Sequence, residues 1–379
     1  MYKLPVKNFA ILKRRLRNVM ADKKVMNFLR ELVACRTPSG FEQEGQRLMA
    51  RYLKSAGVEC AFDVHGNLHA VLNEQAQTKV MLEAHCDEIG FLVTYIDAEG
   101  FVWMTPNGGV TIPTVAAERV IIAGRKGPVN GVFGVRPPHL MTASEREHVA
   151  PTDLATAPVD IGARSREEAE ALVSLGAAAV VDSGWHMLAG SRVACRGFDN
   201  RIGAYIVAEV MRRLAEEPLA PLNVALHLVG SVQEELGLIG GQNASHLVKP
   251  DIGICLDVGF ATDAHLQDRR KMGDIRLGGG PIIGTGPFYN PKLRQMLLDT
   301  AKLEDIPVQI QVRSRASGNN AYAMRMSGGA TAVALVGIPL RYMHSPVETL
   351  DLDDVEKAIR LLCSFIGALP AEPVLAPSL

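Results

Sequence analysis

The stretch Val224-Ala-Leu-His-Leu-Val-Gly-Ser-Val-Gln-Glu-Glu-Leu-Gly237 joins an apolar run to two adjacent acids, Glu234 and Glu235. A short apolar run of this kind is typical of a strand buried inside a sheet. Adjacent carboxylates at the end of such a strand repel each other and lose water, and a nearby cation is the usual compensation. A second interpretation places the two acids in the first turn of a helix, where they favour the helix dipole.

Predicted strands and helices alternate around this stretch. Helices are predicted at 200–217, 291–303 and 355–366, and further strands at 80–84, 252–256, 308–312 and 332–336. Strands that alternate with helices predict an α/β fold, in which helices cover both faces of the sheet.

The segment between residues 89 and 186 has a different sequence pattern. Its apolar runs are short, β-prone and separated by glycine and proline, which predicts a small β-barrel or sandwich. We therefore expect a basic N-terminal extension (1–24), an α/β domain in two pieces (25–88 and 187–379) and an inserted β domain (89–186).

Composition limits the classes of function. With 379 residues, 47% hydrophobic content and a formal net charge of −1, the chain can bury a large core and carries no nucleic-acid-binding signature. No apolar stretch approaches the roughly 18 residues that span a bilayer, so we expect no membrane span. The six dispersed cysteines favour reduced thiols in a cytoplasmic protein. We expect the extension to be solvated, a membrane-touching or targeting helix being the alternative.

Residues able to bind a metal follow the predicted strands. In open α/β sheets, ligands bind beyond the carboxyl ends of the strands. The residues expected at that edge are His85 and Asp87 after the first strand, Glu234 and Glu235 after the quoted one, then Asp257, His344 and, at the start of a helix, Asp199. Nitrogen and oxygen donors without thiolate suit Zn, Mn, Co or Fe as catalytic ions.

Each of these residues also has an ordinary interpretation when taken alone. Asp199 suits a helix N-cap, His85 a buried core position, and His344 a turn before Ser-Pro. One shared metal site accounts for all of them together, whereas unpaired buried charges are costly to the folded state. We therefore predict a metal centre at this edge of the sheet.

Five motifs, in this order along the chain, resemble those of the M42 family of metallo-aminopeptidases, which includes the tetrahedral and glutamyl aminopeptidases. They are Glu83-Ala-His-Cys-Asp-Glu-Ile-Gly-Phe91, Phe198-Asp-Asn-Arg201, Val232-Gln-Glu-Glu-Leu-Gly-Leu238, Leu256-Asp-Val258 and Arg341-Tyr-Met-His-Ser-Pro346. The resemblance implies a zinc-exopeptidase-like domain with a mixed sheet, interrupted by a PDZ-like β-barrel. It also implies self-association through that barrel, commonly as a dodecamer.

The same resemblance implies a metal ligand set. Asp199 would bridge two divalent metal ions, with zinc the foremost candidate and cobalt, manganese or iron the alternatives. His85 and Asp257 would complete the coordination of one ion, and Glu235 and His344 that of the other.

The catalytic roles follow from the resemblance too. A hydroxide that bridges the metals would be the nucleophile, Glu234 would be the general base, and Asp87 would orient His85. The implied activity is that of an aminopeptidase, which releases N-terminal residues from short peptides.

One loop departs from the family pattern. Family members usually carry Gly-Gly-Thr-Asp-Ala, whereas this chain has Ser317-Gly-Asn-Asn-Ala321, so that Asn319 and Asn320 replace a hydroxyl and an acid. We take both asparagines as candidate substrate-binding residues and expect an active enzyme with altered specificity. Two alternatives stay open: a related co-catalytic amidohydrolase (a deacylase or carboxypeptidase), and a non-catalytic peptide-binding assembly that keeps the metal shell.

Overall fold

A computed structural model describes residues 23–142, 154, 157–216, 221–264, 268–315 and 318–376. The predicted basic extension, residues 1–24, lies outside this part of the chain apart from Lys23 and Lys24, which begin the first helix. Among the described residues, no helix is both long enough and apolar enough to cross a bilayer.

A mixed sheet forms the centre of the larger domain. Its strands, from one edge to the other, are β1 (Cys60–Phe62), β2 (Leu68–Leu72), β12 (Ala225–Ser231), β3 (Lys79–His85), β13 (Ile252–Phe260), β16 (Ala332–Leu340), β14 (Ile282–Thr285) and β15 (Gln309–Val312). Strands β12, β3, β13 and β16 are mutually parallel, so their carboxyl ends reach the same edge of the sheet.

Helices cover both faces of this sheet because its central strands are apolar on both sides. On β3, Val80, Leu82 and Ala84 join the main core, whereas Met81 joins a second core on the opposite face. The main core includes α1 (Lys23–Ala34), α2 (Gln43–Lys54), α4 (Phe198–Glu216), α7 (Pro291–Leu303) and α9 (Leu352–Ala368); the second includes α5 (Ile239–Val248) and α8 (Asn320–Met326). The predicted α/β class is thereby confirmed.

The inserted segment folds as a separate closed barrel. Its strands run in the order β4 (Gly90–Ile96), β5 (Val102–Asn107), β8 (Val159–Asp160), β7 (Gly127–Phe133), β6 (Arg119–Gly124) and β9 (Ala178–Val181), with α3 (Arg166–Leu172) beside β4. The barrel has its own apolar core, in which the rings of Phe91 and Phe133 meet edge to face at 5.2 Å between centroids. A barrel interrupting the α/β fold is therefore confirmed, while the domain boundaries at residues 88 and 187 stay a prediction.

A small second sheet and a short helix lie outside the main sheet and the barrel. A small sheet joins β10 (His186–Met187), β11 (Arg192–Cys195) and β17 (Glu348–Asp351), and the short helix α6 (Arg269–Met272) follows β13. The first of these matters for function because β17 begins with a buried acid, Glu348.

Two local expectations differ from the structure. Strand β13 continues to Phe260, so Asp257 lies inside the strand rather than after it. Glu234 and Glu235 lie in a turn between β12 and α5, not in the first turn of a helix. The helix-dipole interpretation of the two acids is therefore wrong, because the helix begins only at Ile239.

Candidate metal centre

The residues expected to hold or serve a metal come together at the carboxyl edge of the sheet. They form two groups, within each of which the candidate ligand atoms all lie within 4.8 Å of one another. We call His85, Glu234 and Asp257 the His85 group, and Asp199, Glu235 and His344 the His344 group.

Asp199 joins the two groups. Its Oδ1 atom lies 3.3 Å from Nε2 of His85, and its Oδ2 atom lies 3.3 Å from Nε2 of His344. The backbone angles of Asp199 and Asn200 are not helical, so this carboxylate stands in a bend ahead of the regular part of α4. One oxygen directed at each group is the arrangement that two neighbouring cations can share.

The His85 group is held from within the α/β domain. Nδ1 of His85 lies 3.3 Å from Oδ1 of Asp87 and 3.2 Å from its carbonyl oxygen, which leaves Nε2 to face the group. Asp87 also accepts hydrogen bonds from Oγ of Ser39, at 2.6 Å, and from the backbone nitrogens of Glu234 and Glu235, both at 3.1 Å. One buried carboxylate therefore fixes both the ring of His85 and the turn that carries the two glutamates.

Asp257 and Glu234 complete the His85 group at slightly longer range. Oδ1 of Asp257 and Oε2 of Glu234 each lie 3.9 Å from Nε2 of His85. Asp257 is fixed by its place in β13 and by a 2.7 Å hydrogen bond that its Oδ1 accepts from the backbone nitrogen of Val258. These two acids and the histidine are all buried.

The His344 group draws on more distant parts of the chain. Nε2 of His344 lies 3.4 Å from Oε1 of Glu235, and its Nδ1 donates to the carbonyl oxygen of Gly109, at 2.9 Å. The carboxylate of Glu348 accepts from the backbone nitrogens of Asp199, at 3.1 Å, and His344, at 2.9 Å. A barrel loop and strand β17 therefore both support this group.

The acids and histidines perturb each other strongly. Burial, reinforced by the charges of Asp257 and Glu235, raises the pKa of Glu234 to about 9. Burial and the nearby Asp199 likewise raise the pKa of Asp257 to about 8. Hydrogen bonds to Asp199 and Glu235 raise the pKa of His344 to about 11. Crowded acids of this kind are stabilised by positive charge, so the set of imidazole nitrogens and carboxylate oxygens fits divalent metal ions.

Sequence reasoning missed three supporting residues. Ser39 belongs to a turn between the first two helices, Glu348 follows His344 by four positions, and Gly109 lies in the insert. An acid only four positions after a candidate ligand is a usable sequence signal for Glu348. The spacing of Ser39 and Gly109 carries no such signal, because only the tertiary fold brings them to the site.

The two asparagines of the divergent loop lie next to the sheet. Nδ2 of Asn320 donates to Oε1 of Glu83, at 2.6 Å, and to Oγ of Ser231, at 3.0 Å, and its side chain is 1% exposed. Asn319 precedes α8 and is also buried. The amide nitrogen of Asn320 is thus engaged in the protein interior, and a substrate-binding role for either asparagine stays a prediction.

Comparison with known proteins relates this chain to a family of aminopeptidases. The family model for M42 glutamyl aminopeptidases matches residues 66–361. A lysyl aminopeptidase from Pyrococcus furiosus is 37% identical over 333 residues, which cover 87% of this chain and 93% of that protein. A putative aminopeptidase from Acetivibrio thermocellus is 32% identical over 92% of this chain and 100% of its own length.

Solved structures show the same likeness. A TET aminopeptidase from a marine-sediment Thaumarchaeota archaeon superposes with a TM-score of 0.86 at 30% identity, covering 92% of this chain and 97% of its own. The TET1 peptidase of Pyrococcus horikoshii, described as assembling into a tetrahedron or a large octahedral shell, gives 0.80 at 28% identity, covering 90% and 99%. Because the family model covers residues 66–361 and these relatives and solved structures match most of its length, the chain belongs to the M42 family and is an aminopeptidase, a hydrolase of peptide bonds.

Proposed function

We propose that the protein is a two-metal aminopeptidase that releases N-terminal residues from short peptides. The observation that carries the proposal is the position of Asp199, whose two oxygens each lie 3.3 Å from a different histidine. Divalent ions bound there would lower the pKa of water and polarise a peptide carbonyl.

The proposed ligands divide between the two groups. His85 and Asp257 would hold one ion, Glu235 and His344 the other, and Asp199 would serve both. The division is supported by the 3.3 to 3.4 Å spacings around Asp199 and His344 and by the donor types, which suit zinc first and cobalt, manganese or iron next.

Glu234 is the proposed general base. It is buried, its backbone is held by Asp87, and it lies beside the metal ligands of the His85 group. Its carboxylate would take a proton from the attacking water and deliver it to the amine that leaves. Its burial beside the proposed ligands suits it to both steps, because a carboxyl held there can keep the proton between them.

The remaining parts of the proposal concern substrate, assembly and location. A structural neighbour is described as a dodecamer, which supports self-association of this chain as a dodecamer through its barrel. All six cysteines are free, which supports a cytoplasmic location. The replacement of the family's Thr-Asp by Asn319 and Asn320 supports a preference for N-terminal residues that differs from that of its relatives.

A metal-free sample tests the proposal directly. One or two equivalents of Zn²⁺, Co²⁺, Mn²⁺ or Fe²⁺ are added back, and cleavage is measured on short peptides with free or blocked amino termini. We expect activity to return with the second equivalent and only on free amino termini. Full activity without metal would refute the mechanism, preference for blocked peptides would indicate the related amidohydrolase, and metal binding without any cleavage would indicate the non-catalytic assembly.

The role of Glu234 needs its own variant. Glu234→Gln removes the proton carrier but none of the proposed ligands, so both ions should still bind while turnover falls by about 10² to 10⁴-fold. Glu99→Gln, an exposed acid in the barrel, is the matched control and should behave like the wild type. Unchanged turnover in Glu234→Gln would show that another group is the base.

A further inference from the structure

The inserted barrel reaches into the metal centre. Strand β5 ends at Asn107 and is followed by Gly108 and Gly109, which we call the glycine pair. The carbonyl oxygen of Gly109 accepts a hydrogen bond from Nδ1 of His344 at 2.9 Å, across 235 positions of sequence. The contact therefore joins the barrel to a proposed metal ligand of the α/β domain.

Neither position of the glycine pair has room for a side chain unless a neighbouring side chain shifts. A Cβ atom on Gly109 would lie 3.0 Å from Nδ1 of His344 and 3.2 Å from its Cε1. A Cβ atom on Gly108, where φ is +86°, would meet Cγ2 of Ile89 at 2.9 Å and Cβ of Glu235 at 3.3 Å. We call the ion proposed for the His344 group the second ion. The glycine pair therefore packs against His344 and Glu235, the two proposed ligands that serve only this second ion.

The glycine pair is also anchored to the larger domain. Nδ2 of Asn107 donates a 2.8 Å hydrogen bond to the carbonyl oxygen of Ser39, and the side chain of Asn107 is buried. The start of the loop is thus held in two ways: by the pairing of β5 with β4 in the barrel, and by the hydrogen bond from Asn107 to the turn that precedes α2. A fixed carbonyl can hold an imidazole in one orientation, whereas a mobile loop cannot.

The two histidines are oriented by different domains. The Nδ1 atom of His85 is held by Asp87, which belongs to the same strand end, whereas the Nδ1 atom of His344 is held by the barrel. A hydrogen bond at Nδ1 fixes the tautomer and leaves the Nε2 lone pair for a metal. Nε2 of His344 is the atom that faces Asp199 and Glu235.

We infer that the glycine pair of the barrel is a positioning element of the second metal site, so the insert completes the active site in addition to any role in assembly. The inference rests on the proposed two-metal function. Gly109 acts through its carbonyl on the ring of His344, and Gly108 lets the loop approach Glu235.

Stepwise metal binding tests this inference without relying on activity. Metal-free wild type, Gly109→Ala and Gly184→Ala are titrated with Zn²⁺ by calorimetry, and the step lost in His344→Ala identifies the second site. Gly109→Ala should weaken that step about 10 to 100-fold and leave the other step unchanged, because the new methyl group displaces the ring of His344. Gly184, with open space around its Cβ position, is the matched control and should show both wild-type steps.

A milder variant keeps the test decisive if Gly109→Ala does not fold, as judged by thermal unfolding. Asn107→Ala removes the anchor without adding atoms near His344, and it should weaken the same step about 3 to 10-fold, below the effect of a direct contact. Unchanged affinity of the second step in whichever folded variant is measured overturns the inference. A wild type that binds fewer than two ions would instead overturn the proposed function, so the two failures can be told apart.

Discussion

The two groups of the metal centre differ in how they are built. The His85 group consists of buried residues from strands β3 and β13 and the turn after β12, and its orienting acid, Asp87, lies two positions from His85. The His344 group is more open, with the side chain of His344 30% exposed, and it depends on Glu348 and on the barrel. One half of the site is thus set by the topology of a parallel sheet, and the other is assembled by contacts between distant segments.

The largest effect should come from the residue that the two halves share. Asp199→Asn removes the only proposed ligand common to both ions, so both metal affinities should fall and turnover should drop by at least about 10³-fold. Metal content after dialysis and kcat on a free peptide measure the two effects. Retention of two tightly bound ions would show that the halves do not share Asp199, and Asp251→Asn at an exposed position serves as the control.

Replacing each histidine in turn compares how much each half of the metal centre contributes to the free energy of unfolding. In metal-free protein, His85→Ala leaves buried acids without their positive neighbour, which should lower the free energy of unfolding by about 3 to 5 kcal/mol. His344→Ala should cost less, about 1 to 2 kcal/mol, because its side chain is 30% exposed and water can enter the space that the ring leaves beside Asp199 and Glu235. Chemical denaturation of the two variants measures the difference, and equal losses would contradict a buried and an open half.

A pH titration of stability tests how Glu42 holds the turn that carries Glu234 and Glu235. Oε1 of Glu42 accepts from the backbone nitrogens of Gly40, at 2.6 Å, and Gln233, at 3.1 Å, and burial raises the pKa of Glu42 to about 7. Because the folded pKa exceeds the unfolded one, the stabilising contribution is complete below about pH 4.5 and is lost as the pH rises through 7.

Glu42→Gln should remove that loss. The amide oxygen can keep both hydrogen bonds, so the variant should gain about 1 to 3 kcal/mol relative to wild type between pH 5 and pH 8. Denaturation midpoints at several pH values measure the gain, with the exposed Glu59→Gln as the control. A constant difference across this range would show that Glu42 does not titrate there.

The smallest expected effect, that of Ser39→Ala, should distinguish the two halves of the metal centre most clearly. Ser39→Ala removes the 2.6 Å hydrogen bond to Asp87, and the binding step that depends on His85 should weaken about 3 to 10-fold, with the step that depends on His344 unchanged. Calorimetric titration of metal-free protein with Zn²⁺ measures the affinities of both binding steps. Loss of the His344 step instead would mean that Ser39 acts through Asn107 and the barrel rather than through Asp87.

The sequence predicts the two halves unequally. His85 and Asp257 could be placed because an apolar run of strand length ends near each of them and parallel strands share a carboxyl edge. The strand that contains Asp257 is longer than its apolar pattern indicates, because Gly259 and Phe260 continue the pairing with β16. The contact between Gly109 and His344 could not be predicted, since no local pattern records which barrel loop faces which turn.

The position of Glu348 after all the other residues of the metal centre in the sequence bears on how the protein is made. Its carboxylate holds the backbone of both Asp199 and His344, so neither ligand is fixed until β17 has paired with β11. During synthesis, the segments that carry His85, Glu234 and Asp257 leave the ribosome long before this acid does. We therefore expect a nascent chain to remain an inactive hydrolase until β17 has been made and has paired with β11, which would keep a peptide-cleaving site from opening beside other newly made polypeptides.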